Sequence, residues 1–202
     1  MLFVLLLLSA VTFDGLMGTM IWMRVQNAVT EYIPNILVVG SLGLIIVSVV
    51  FAGFYLCFCF LMKSVSGENY GTFIFANNFV TSLIPIALAY HVAHFLLFLL
   101  VQGQLMIPLI SDPFGHGWDL FGTANYRINF RVMSPTFFWI ISVSSIVIGH
   151  VVAVVVSHFI AMRMIRNRYK AFKSQYPMLV LMIFYTIASL WIITQPMYQS
   201  SM

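Results

Sequence analysis

Charge is what this sequence lacks most. Of 202 residues, 7% are Asp, Glu, Lys or Arg, where a soluble domain carries about a quarter. Hydrophobic residues make up 62%, and the mean hydropathy is +1.03. No stretch reads as an independent soluble domain, so the chain has nowhere to house a soluble catalytic unit. Cysteine is scarce as well. Cys57 and Cys59 stand alone, and two residues apart on a helix they point to different faces and cannot bridge each other. They read as free thiols. A Gly-rich phosphate loop, a nucleophile elbow and a zincin helix motif are all missing. So are internal repeats and low-complexity tracts. The net charge of +4 does not point to nucleic acid, because five of the nine basic residues fall between Arg163 and Lys173. A membrane explains that clustering better.

What is present is a series of long apolar runs, each able to cross a bilayer as a helix of about 20 residues. They predict an all-α integral membrane bundle of about five transmembrane helices, near residues 1–23, 35–62, 79–101, 136–162 and 178–194. The first run lacks a basic start and a small-residue cleavage site, so it reads as a span and not as a signal peptide. Arg24–Pro34 and Lys63–Gly71 read as polar loops, and a bend is expected at Pro85. The segment 111–135 carries glycines, prolines and many aromatics, which suits the headgroup interface. The loop 163–173 carries five basic residues. With Lys63 on the same side and Arg24, Arg127 and Arg131 on the other, the positive-inside rule puts this loop in the cytoplasm. The N-terminus is then cytoplasmic and the C-terminus outside.

Against this apolar background a few ionisable groups stand out. His91 and His94 lie within the third run, three residues apart and so on one helix face. Counting from the cytoplasmic end at about 1.5 Å per residue, they sit roughly 18 and 22 Å deep. His150 in the fourth run comes to roughly 18 Å, and Asp14 in the first to roughly 20 Å. Ionisable groups at mid-membrane are expensive and by default mark a functional site. Imidazole binds copper, iron and zinc, and a carboxylate can complete or orient such a site. A b-type haem needs only one axial His from each of two helices, and His91 or His94 with His150 would serve. Two other readings compete. The same groups could hydrogen-bond across helices and fix packing, or form a proton or ion pathway. Weaker candidates are His158, near the cytoplasmic end, and the trio Asp112, His116 and Asp119, whose setting also reads as a capped turn.

Several stretches resemble an uncharacterised family of bacterial multi-pass membrane proteins, some members of which carry the label "fenitrothion hydrolase". They are Thr12-Phe13-Asp14-Gly15, Ala89–Phe95 running into Gln102-Gly103-Gln104, Ser111-Asp112-Pro113, Gly117–Thr123, Gly149-His150-Val151 with His158, and Ser174–Met178 leading to Leu190-Trp191 and Gln195-Pro196. The resemblance is to the C-terminal part of longer members, and it implies little chemistry. It does take in Asp14, His91, His94 and His150, and no convincing hydrolytic nucleophile is visible. Together the readings predict a subunit of a larger redox complex in a bacterial inner membrane. Its partners would be other membrane subunits and the lipid bilayer, with no nucleic acid, and its cofactor a transition metal or b-type haem.

Overall fold

A computed structural model describes residues 1–195, which form eight α-helices and two short 3-10 turns. The helices are α1 (Leu2–Met17), α2 (Met20–Thr30), α3 (Ile36–Ser66), α4 (Thr72–Phe79), α5 (Ile84–Gln102), α6 (Met106–Ser111), α7 (Pro135–Met164) and α8 (Arg168–Thr194). Among the described residues there is no strand. Four helical stretches are long and apolar enough to cross a membrane: α3, the run Thr72–Ser111, α7 and α8. The chain is a multi-pass membrane protein. Pro196, which the sequence places at the close of the last span, lies outside the described residues.

The first span departs from expectation. Helix α1 is 16 residues, about 24 Å, and so shorter than the roughly 30 Å hydrocarbon core. It breaks at Gly18, and α2 leaves it at 86°. Thr19 drives the corner. Its hydroxyl donates to Leu16 O at 2.7 Å, taking up a carbonyl at the end of α1. The same oxygen accepts from Trp22 N at 3.3 Å, capping α2. Arg24–Thr30, read from its polarity as loop, is therefore helical. Trp22 is buried while Arg24 and Asn27 are exposed, the one-sided pattern of a helix lying across the end of a bundle.

The other boundaries follow from caps. Asn35 Oδ1 accepts from Leu37 N at 3.0 Å and Val38 N at 3.4 Å to start α3. Gly67, at φ +66°, ends it in the left-handed conformation that glycine adopts most readily. Pro85 falls in the first turn of α5, where a missing N–H is harmless. The sequence predicts a bend there; the structure shows instead a 3-10 turn, Val80–Leu83, just before it. The basic stretch is a tight corner, not an open loop. Helix α7 runs to Met164 and α8 begins at Arg168, with Asn167 Oδ1 accepting from Tyr169 N and Lys170 N. Arg166 N donates to Glu68 Oε1 at 3.4 Å, so this corner and the α3–α4 turn share one end of the bundle, called here the basic end.

Packing is uneven along the bundle. Phe75, Phe79, Tyr55, Cys59, Met62, Ala161 and Ala171 are fully buried, and they gather toward the basic end. Helix α7 turns a stripe of Ser142, Gly149, Ala153, Ser157 and Ala161 inward, small residues that let helices approach closely. A Cβ built on Gly149 would stand 2.9 Å from Pro85 O of α5. Toward the other end the helices separate, and a cavity opens between α1, α2, α3 and α5.

Candidate functional site

The cavity has a volume of about 720 Å³. Asp14, in the last turn of α1, and His91, in the middle of α5, both line it. Behind them His94 Nε2–H donates to Asp14 Oδ2 at 2.7 Å, a charge-assisted hydrogen bond that ties α5 to α1. His94 is held edge-on against Phe95, with ring centroids 4.8 Å apart. His91 donates from Nδ1–H to Ala87 O at 2.8 Å. A carbonyl can only accept, so Nδ1 carries a proton, and in the neutral ring the Nε2 lone pair is then free. Trp22, Gln26 and Phe13 complete the wall. The sequence reading passed over Trp22 and Gln26; the signal that could have found them is the Thr19 cap and the helical pattern that follows it.

His150 lies elsewhere. It donates from Nδ1–H to Ile146 O at 2.8 Å, which fixes the same tautomer. Its Nε2 is buried and has no hydrogen-bond partner. The ring lines a separate pocket of about 270 Å³ between α7 and α8, with Val151, Val154, Leu179, Met182, Ile183 and Thr186. The structure thus joins His94 to Asp14, sets His91 in the same cavity wall as Asp14, and places His150 apart. Among the described residues, no three His, Cys, Asp or Glu side chains converge into a group that could hold a metal ion. The reason is direction around the helix. Helix α5 meets α7 through Pro85, Ala89 and Ala93. At 100° per residue, His91 lies about 200° from both alanines, on the side facing α1.

His158 continues the α7–α8 side. Its Nδ1–H donates to Gln175 Oε1 at 3.0 Å, and its ring meets Phe172 edge-on at 5.2 Å. It lines a pocket of about 400 Å³ that shares Val154, Val155 and Leu179 with the His150 pocket, so the two are neighbours on the α7–α8 side.

In the segment after α6, the carboxylates are committed to backbone. Asp112 accepts from His116 N at 2.9 Å and Gly117 N at 2.7 Å. Asp119 Oδ1 accepts from the Ser111 hydroxyl at 2.8 Å and Ala124 N at 2.9 Å. The His116 ring sits against Trp118. These are turn caps, and Gln104 joins them: its amide donates to Leu100 O and Asn129 O and accepts from Tyr126 OH and Asn129 N. The Ala124 N–H and then the Ser111 hydroxyl hold the Asp119 carboxyl below its ordinary value, which is about 4. A carboxyl depressed by folding stabilises its loop at neutral pH, and that contribution is lost as pH falls through the lowered value. Amide exchange of residues 119–124 should therefore accelerate on acidification, after correction for intrinsic rates. Asp119→Asn should abolish that acid step, and an unchanged step in the variant would refute the assignment.

Compared with protein-family models, curated proteins and solved structures, the chain matches none. Its chemistry has to be argued from its own side chains.

Proposed function

We propose that the chain is a subunit of a larger redox assembly in a bacterial inner membrane, its basic end cytoplasmic, and that His150 is a ligand to a b-type haem or a transition metal. One observation carries this: a buried imidazole whose Nδ1–H is anchored on Ile146 O while Nε2 faces no partner. Leaving a buried polar atom unmatched costs about 1–3 kcal/mol. A metal-ligating His characteristically fixes its tautomer and ring direction by donating its other N–H to a carbonyl or carboxylate. The donor set fits such a group in part. The neighbouring pockets at His150 and His158 are lined largely by apolar side chains, which would suit a flat ring, but they offer one free nitrogen near His150 and no carboxylate. A second ligand would come from a partner subunit, which accords with a chain that holds so little outside its helices. The bound group supplies one-electron transfer. Ile146 and His150 would orient such a group, and Val151, Val154 and Met182 would line it. A structural role remains the second reading for the Asp14–His94 pair alone, because that bond links α1 to α5 across the bundle.

The test is metal and haem content of the assembly purified from its native membrane without chelator. About one Fe or Cu per chain, and a Soret band if the group is haem, is the expected result. Stoichiometric absence of both would sink the redox reading.

A further inference from the structure

We infer that the cavity between α1, α2, α3 and α5 binds the headgroup of a membrane quinol, a lipid-soluble aromatic ring carrying hydroxyl groups. The inference deepens the redox reading and rests on it only for the use made of the ligand. Binding itself follows from the cavity.

Its volume of about 720 Å³ falls within the range of small-molecule sites, roughly 300–1,000 Å³. The lining is apolar apart from a few polar groups, chiefly Asp14 and His91. The exposed part of the lining, and so its mouth, includes Met17, Ile36, Leu37 and the half-exposed Asp14. In a chain that crosses the bilayer, a mouth built largely of exposed apolar side chains on the flank of the bundle faces lipid. A ligand would enter from the membrane and carry an apolar body.

The hydrogen-bond inventory selects the headgroup. Asp14 Oδ2 takes the His94 proton, and Oδ1 makes no hydrogen bond among the described residues. His91 has spent Nδ1–H on Ala87 O and presents a lone pair at Nε2. Ser41, also in the lining, donates its hydroxyl proton to Leu37 O within its own helix. In the wall, Asp14 Oδ1 can only accept, while the Gln26 amide and the Trp22 Nε1–H can donate. A ligand with two hydroxyls, each donor and acceptor, can match both kinds of group, while a quinone, which only accepts, leaves the Asp14 oxygen unmatched. The Phe13–Trp22 edge-to-face pair, with centroids 4.8 Å apart, and Phe95 supply aromatic walls for a flat ring.

The experiment is equilibrium binding of a radiolabelled short-tailed benzoquinol to the native assembly in nanodiscs, under anaerobic conditions. Competitors are the matching quinone and the dimethyl ether of the quinol, which keeps the ring and removes both donors. Saturable binding is expected, displaced by unlabelled quinol and about tenfold or more less effectively by the ether and the quinone. Asp14→Asn should weaken binding by a similar factor. Gly40→Leu tests the cavity without disturbing the fold: Gly40 lines it, and a Cβ there meets nothing within 4 Å. The bulkier side chain should block binding. Unsaturable uptake, equal competition by the ether, or full binding in Gly40→Leu would overturn the inference. Quinol binding without metal or haem would sink the redox reading and leave this site standing. Metal or haem without quinol binding would do the reverse.

Discussion

Replacing His150 with leucine should, on the proposed redox reading, strip the assembly of a metal or haem, and should leave the cofactor-free protein at least as stable as the parent. The two halves of that result come from one atom. In the free chain, Nε2 of His150 is buried against valine, leucine and methionine side chains with nothing to bond. Leucine removes an unsatisfied polar group worth about 1–3 kcal/mol and puts apolar surface into an apolar groove. A histidine kept only for packing would show no further change. A histidine kept as a ligand takes the bound group with it. The variant then also loses the extra stability that ligand binding gives the folded state by mass action, so parent and variant must be compared cofactor-free. The measurement is thermal unfolding in detergent alongside metal and haem content. Full cofactor content in His150→Leu would rule this histidine out as a ligand.

Gly149→Ala should destabilise the bundle by about 1–3 kcal/mol, the usual range for overpacking. The added methyl would stand 2.5 Å from the Ala89 Cβ and 2.9 Å from Pro85 O. Neither is the far end of a flexible chain. Both are rooted in the α5 backbone, so α5 and α7 must move apart. Close approach through small residues is the main source of helix affinity within lipid, and the damage should spread to His150, the next residue. Ala89→Gly in the same chain removes one of the two clashes, and the rescue should be partial because the carbonyl remains. A double-variant series on unfolding temperature and cofactor content reads both effects. Wild-type stability in Gly149→Ala would mean that α5 and α7 do not meet at this point.

Composition alone determined that the chain lives in a membrane, and the apolar runs placed the long helices within several residues of α3, α7 and the later part of α8. Hydrophobic length is a one-dimensional property, read directly from the order of residues. It also predicts about one depth for Asp14, His91, His94 and His150, since depth along a helix is residue count times rise. Short-range chemistry hidden inside polar stretches was harder to see. Arg24–Thr30 is helical because Thr19 caps it and Trp22 gives it one buried face. The basic stretch is a three-residue corner because Asn167 starts a new helix at once. The carboxylates near His116 turned out to cap backbone, as their turn-rich setting had allowed. What only the tertiary structure decided is direction around the helix axis. Small residues at Ala89, Ala93 and Gly149 fix which side of α5 touches α7, and that contact turns His91 and His94 toward Asp14 and leaves His150 in a groove of its own. Depth belongs to each helix by itself, but azimuth belongs to the pair, set by which surfaces can approach most closely.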